Sequence, residues 1–221
     1  METNDPFETD RLQMVAAQIE RRGLLNERLL TTLRQTPRHV FVPDEQRSFA
    51  YEDRPLPIGS GQTISQPYIV ALMTSLLNLQ GGEKVLEIGA GSGYQAAVLA
   101  HMASSVHTVE RHQPLADHAI QILAILGIQN VTVHCGDGSL GWPSAAPFDA
   151  IMVTAAAPRV PQPLLDQLAD GGRLVIPVGS SGVQELQLWT RDGENCQHES
   201  LIQVSFVPLR GAHGWDSSEW R

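Results

Sequence analysis

Residues 85–95 read Val85-Leu86-Glu87-Ile88-Gly89-Ala90-Gly91-Ser92-Gly93-Tyr94-Gln95, and an apolar run, Ala96-Ala97-Val98-Leu99-Ala100, follows. A short apolar stretch entering three glycines on alternate positions, and then a helical run, is a strand, a tight turn and a helix. Such a turn leaves bare backbone where a ligand lies close. Its register narrows the ligand. A dinucleotide fingerprint reads G-x-G-x-x-G, the third glycine packing helix on strand, whereas this turn reads G-x-G-x-G with Tyr94 at that third place. Glu87 stands just before the loop, where a carboxylate disfavours a pyrophosphate and favours a cation.

Outward from this turn, the chain alternates apolar strands with helical patterns, as a parallel sheet requires. Strands are expected over residues 84–88, 105–109, 131–135, 148–153 and 173–178. Helices are expected over about 94–102, from Pro114 to a glycine stop at Gly127, and from Pro161 through Leu168 to Gly171. Residues 185–190 and 202–207 then alternate around a turn, which predicts an antiparallel pair at the sheet edge. Before the sheet, helices are expected from about Asp10 to Gly23 and from Asn26 to Pro37, with residues 39–43 extended. A long irregular segment over 51–66 ends where Ser65 or Gln66 can cap a helix that carries Pro67 in its first turn. The expected organisation is one domain: residues 1–80 as helical extension and loop, 81–211 as core, 212–221 as tail. The first ten residues read as a mobile tail.

The 221 residues are 42% hydrophobic and 18% charged, ordinary for a folded chain, and the formal net charge is -9. That balance argues against nucleic acid, which demands basic patches. No apolar run approaches the roughly 20 residues a bilayer needs, and residues 1–5 are polar and acidic rather than a signal peptide, so a cytoplasmic protein is expected. Cys135 and Cys196 fit neither a disulfide framework nor a C-x-x-C site, and Cys135 is expected to be a small buried side chain. The histidines show no H-E-x-x-H pattern, and no metal is expected.

Two more acids extend the argument. Glu110 ends the second strand, 19 residues beyond Gly91, the offset at which an α/β nucleotide site places a carboxylate on ribose hydroxyls. Asp137-Gly138 ends the third strand, where an Asp can accept from an adenine amino group. Three such elements at the ends of three consecutive strands point to an adenosyl ligand carrying positive charge. That combination resembles the first motif of the Rossmann-like class I methyltransferases, whose ligand is S-adenosyl-L-methionine, giving S-adenosyl-L-homocysteine.

Leu56-Pro57-Ile58-Gly59-Ser60-Gly61-Gln62-Thr63-Ile64-Ser65-Gln66-Pro67 is similar to the signature before the first strand in protein-L-isoaspartate O-methyltransferases. Asp149-Ala150-Ile151 with residues 155–158, residues 168–179, and Phe206-Val207-Pro208-Leu209 with His213-Gly214-Trp215 resemble the same family, bacterial type. Arg210 departs from it, since relatives often carry a smaller residue there. The resemblance implies that Ser65 is the active-site residue. It implies that Thr63, Ile64, Ser65, Gly89, Gly91, Glu110, Arg111, Asp137 and Gly138 contact the cofactor, Glu87 being added from its place before the turn. The implied reaction methylates the free carboxylate of an isoaspartyl residue in a damaged peptide, the ester then closing to a succinimide. Ser65 suits a hydroxyl that orients the carboxylate, for no G-x-S-x-G elbow marks it as a nucleophile.

A peptide substrate implies an extended groove, with residues 204–209 offering backbone for strand addition. Two other readings stay open on the residues alone: a methyltransferase for a small-molecule acceptor, and a nicotinamide-dependent oxidoreductase or nucleotide-binding regulatory module. Asp192-Gly193, in an expected exposed turn, is a candidate for succinimide damage of the protein itself.

Overall fold

The computed structural model describes residues 5–216, 218 and 220; the expectation for residues 1–4 lies outside these. Helix α1, Glu8–Met14, runs into a π-turn at Val15–Ile19 and a 3-10 turn at Glu20–Arg22, and closes on Gly23 at φ 89°. The segment from Asp5 is tied down rather than loose: Asp5 pairs with Arg11, and Phe7 stacks on His39 at 4.5 Å. Helix α2, Glu27–Gln35, starts where the Asn26 side chain accepts from the Leu29 amide, the expected cap.

Two expectations fail in the next stretch. Residues 38–41 form a 3-10 turn, not an extended run, because the Arg38 side chain turns inward to backbone carbonyls. The supposedly irregular segment contains a hairpin, β1 (Leu56–Gly59) and β2 (Gln62–Ile64), with Leu56 opposite Ile64 and positive φ at Gly59, Ser60 and Gly61. Helix α3, Pro67–Leu76, follows with Gln66 at its N-cap, and neither Ser65 nor Gln66 makes a side-chain cap bond.

Next come β3 (Lys84–Ile88), α4 (Tyr94–Met102), β4 (Ser105–Glu110), α5 (Gln113–Ile125), β5 (Val131–Cys135), β6 (Phe148–Val153), α6 (Gln162–Asp166), β7 (Leu168–Val178), β8 (Gln184–Asp192) and β9 (Asn195–Val204). Strands β3 to β9 make one seven-stranded sheet in the order β5-β4-β3-β6-β7-β8-β9. It is parallel through β7 and antiparallel at β8 and β9, the expected doubly wound α/β sheet with an antiparallel C-terminal edge. After β5 the chain returns to the other side of β3, so the order reverses between β3 and β6. Ligands of open α/β sheets bind at such a switch point.

Alternation along β3 sorts its side chains. Val85 joins the core with the N-terminal helices, α3 and α4, while Leu86 and Ile88 join a second core with Ile151, Leu174 and Ile176. The helix expected to reach Leu168 is only five residues long. Leu168 already pairs with Phe148, and the bulge between Phe148 and Ala150 absorbs the extra residues before Arg173 meets Ala150. The final strand stops at Val204, since Phe206 and Val207 leave the sheet to bond Gln184 and Ala156. Cys135 is exposed, against expectation, because it ends the outermost strand β5.

Candidate active site

Three cavities lie in a chain over the carboxyl ends of β3, β4 and β6. The first, of about 590 Å³, is a groove between residues 63–69 and 202–207. The second, of about 70 Å³, is bounded by residues 62–65, the glycine turn, Tyr94 and Glu110. The third, of about 320 Å³, lies among Gly89, Glu110, Arg111, His112, Gly138 and Leu209. Thr63, Ser65, Thr154 and Val207 line both the first and the second. Gln62, Gly89, Glu110 and Ala155 line both the second and the third.

The glycine turn is shaped by its neighbours. Gly89 has φ 99°, and a Cβ there would stand 2.3 Å from Thr154 Oγ1. That hydroxyl shares its single hydrogen between the carbonyls of Ile88 and Gly89, 2.9 and 2.8 Å away, binding the end of β6 to the turn. Gly91 has φ 53°, with Ile58 of the hairpin 3.3 Å from where a Cβ would be. Glu110 is buried. One of its oxygens accepts from the Gly91 amide at 2.9 Å and the other from the His112 amide at 2.8 Å, and each keeps a lone pair for a ligand hydroxyl.

The other two acids stand behind the walls. Asp137 faces the C-terminal segment: its Oδ1 accepts from the Ser139 amide and hydroxyl and its Oδ2 from the Ala212 amide at 2.7 Å. Burial would push its pKa up, but those bonds and the nearby His213 hold it below the usual range. Glu87 lies on the Val85 face of β3, fully buried, with neither carboxylate oxygen hydrogen-bonded. Burial pushes its pKa up to about 8, Thr108 opposing and the negative Glu110 adding, so it is largely protonated at neutral pH.

Thus eight of the expected residues, Thr63, Ile64, Ser65, Gly89, Gly91, Glu110, Arg111 and Gly138, are brought together on the walls of the second and third cavities. Asp137 and Glu87 are not on those walls. Val207 and Leu209, within the segment expected to meet the peptide, line them too, as do Thr154 and Ala155, which the sequence reading does not single out as site residues. Thr154 follows β6 directly, and its place at a strand end was the available signal. Arg210 also lines the third cavity while its guanidinium is held by the carbonyls of Trp215 and Asp216. Among the described residues, no group of three or more His, Cys, Asp or Glu gathers as a metal site would.

The family model of protein-L-isoaspartate(D-aspartate) O-methyltransferase matches residues 10–214. A protein-L-isoaspartate O-methyltransferase 1 of Syntrophobacter fumaroxidans is 55% identical over 210 residues, 95% of this chain and 98% of the relative. One from Methanoregula boonei is 51% identical over 217 residues, 98% of this chain and 100% of the relative. Among solved structures, a protein-L-isoaspartate O-methyltransferase superposes with TM-score 0.84 at 28% identity, covering 94% of this chain and 67% of that one. A Plasmodium falciparum protein described as belonging to the same enzyme class, in complex with S-adenosyl-L-homocysteine, superposes with TM-score 0.79 at 27% identity, covering 90% and 98%.

Proposed function

The chain belongs to the protein-L-isoaspartate(D-aspartate) O-methyltransferase family, and from that premise we propose how its residues divide the work. It transfers a methyl group from S-adenosyl-L-methionine to the free carboxylate of L-isoaspartyl residues in damaged peptides and proteins, initiating repair through a succinimide. When bound, S-adenosyl-L-methionine supplies an electrophilic methyl group on a cationic sulfur. The residues present fit such a ligand: the turn keeps its approach to Thr154 only with glycine at 89, and Glu110, on the wall of two cavities, retains acceptor capacity for hydroxyls. Thr63, Ile64, Ser65, Gly89, Gly91, Glu110, Arg111 and Gly138 hold the cofactor. Asp137 supports the adenosyl side by fastening residue 212, and Glu87, buried and largely protonated behind the turn, backs the end of β3 and is no counter-charge to the cofactor.

One observation carries the division of labour. Ser65 lines both the groove and the narrow second cavity, so its hydroxyl sits where an acceptor in the groove meets a donor in the cofactor cavities. The acceptor carboxylate is already ionised at neutral pH, with a reference pKa near 4, and needs no general base. Ser65 donates one hydrogen bond to it and aims it. Holding an oxygen about 3 Å from the methyl carbon, in line with the leaving sulfur, is worth on the order of 7 kcal/mol. The narrowness of the second cavity excludes most water, which favours a step in which opposite charges cancel. The groove takes an extended peptide along residues 204–207. The formal charge of -9 argues against nucleic acid as a partner, and no helix among the described residues is long and apolar enough to cross a membrane; we infer a cytoplasmic enzyme.

The test uses labelled S-adenosyl-L-methionine and two peptides identical except for an aspartyl or isoaspartyl linkage, with the wild-type chain and Ser65→Ala. Base-labile label on the isoaspartyl peptide alone, with kcat falling in Ser65→Ala by more than cofactor affinity does, is the expected result. Equal kcat in the two proteins would remove Ser65 from its role.

A further inference from the structure

Arg38 is the largest fully buried side chain among the described residues. Its Nε donates to the Ala50 carbonyl at 2.8 Å and its Nη2 to the Ser65 carbonyl at 2.7 Å. Nη1 is buried without a partner among the described residues. The guanidinium lies 5.0 Å from the centre of the Tyr94 ring, which Phe41 meets edge-on at 5.3 Å. No carboxylate forms an ion pair with it among the described residues; Asp53, an acid whose charge favours its cationic form, is taken by Arg22 and the Tyr68 amide. Burial lowers its pKa to about 10, which leaves it cationic at neutral pH.

Burying an unpaired guanidinium is costly, and an apolar side chain would fill the same space at less cost. What an apolar side chain lacks is the set of donors. Ala50 and Ser65 flank the β1–β2 hairpin on its two sides, and Tyr94 opens α4 directly after the glycine turn. Arg38 therefore ties the segment bearing Thr63, Ile64 and Ser65 to the helix bordering the second cavity. We propose that Arg38 is a positioning residue for methyl transfer: it fixes the Ser65 main chain against Tyr94 and so sets where the Ser65 hydroxyl stands. This rests on the reading of Ser65 given above.

The test is a double-mutant cycle of Arg38→Lys and Ser65→Ala on the isoaspartyl peptide, with cofactor affinity measured in each protein. A lysine keeps the charge but cannot span two carbonyls in a fixed fork. In the Ser65 protein, Arg38→Lys should lower kcat about tenfold, and in the Ser65→Ala background less than about twofold, because the two residues act as a unit. Within each background, Arg38→Lys should move cofactor affinity by no more than about twofold. Equal losses of kcat in both backgrounds would mean a merely structural role and overturn the proposal. A Ser65→Ala protein with unchanged kcat would instead overturn the Ser65 reading and this inference with it. Should Arg38→Lys fail to fold, Phe41→Leu, which loosens the ring beneath the guanidinium and touches neither carbonyl, takes its place in the cycle. A larger loss of kcat in the Ser65 protein is again expected, and equal losses again overturn the proposal.

Discussion

The Glu110 carboxylate accepts a hydrogen bond from the Gly91 amide at 2.9 Å, so one side chain both shapes the glycine turn and faces two of the cavities beside it. Its removal should therefore cost more than a lost ligand contact. Glu110→Ala should weaken S-adenosyl-L-homocysteine binding by about 2–3 kcal/mol, the scale of charge-assisted hydrogen bonds. Glu110→Gln, which keeps one oxygen acceptor, should lose less. Isothermal titration of the three proteins measures this, and a tie between Ala and Gln would refute the dual role.

The C-terminal segment is fastened through Asp137 to the end of β5, on the side proposed for the adenosyl group. Gly211 has φ 144°, and a Cβ there would stand 1.9 Å from Asp137 Oδ1. Gly211→Ala should therefore push residue 212 off the carboxylate and weaken cofactor binding about tenfold, by loss of a bond worth about 1.5 kcal/mol. The melting temperature should move little, because the sheet core is untouched. Unchanged affinity would show that the segment is no part of the cofactor site.

Glu87 makes stability depend on pH. Its pKa is raised from 4.5 to about 8 in the folded protein, so between those values the unfolded chain binds fewer protons at this site than the folded one. Its contribution to stability falls as pH rises across that window, by up to about 1.4 kcal/mol per unit, and levels off above the folded pKa. Glu87→Gln removes this loss. The variant should match the wild type near pH 4.5 and melt progressively higher relative to it up to pH 8, in cofactor-free protein followed by calorimetry. A gap that shrinks with rising pH would contradict the buried neutral carboxyl.

Strand addition along the groove predicts a selective effect of proline. The Val207 carbonyl is used by the Ala156 amide, whereas the Val207 amide has no partner among the described residues. Val207→Pro should raise peptide KM severalfold with cofactor affinity intact. Unchanged KM would mean that the peptide does not take that amide.

Asp192 ends β8 and Gly193 opens the β8–β9 turn, and the backbone there is guarded. The Gly193 amide, the nucleophile of succinimide closure, donates to Asp170 Oδ1 at 2.7 Å. Asp170→Ala should free it and speed isoaspartate formation at Asp192 severalfold in the stored protein, as read by peptide mapping. Equal rates would show that the bond gives no protection.

What the sequence by itself determined is local and periodic. Apolar runs bounded by glycine and proline place the strands, the spacing of Gly89, Gly91 and Gly93 makes the turn, and Glu110 and Gly138 reach the cavities because a strand end in a parallel sheet delivers its next residues to the same edge. The threonine-isoleucine-serine run was legible by resemblance, though not as a hairpin, because β1 and β2 are too short to show an alternating pattern and their turn relies on Ser60 in a left-handed conformation. Only the tertiary structure decided the rest. Residues 39–43 read as a short extended run, and what bends the segment is a pair of carbonyls, from residues 50 and 65, that Arg38 reaches. Leu168 continues a helical pattern, and the register against Phe148 takes it into the sheet. Glu87 adjoins the glycine turn in sequence, yet the pleat of β3 turns its carboxylate into the core, and Asp137, next to a cavity-lining glycine, is claimed by residue 212. In each case a contact between residues distant in sequence outweighs the local preference, because burial and hydrogen-bond satisfaction are settled only when the whole chain has packed.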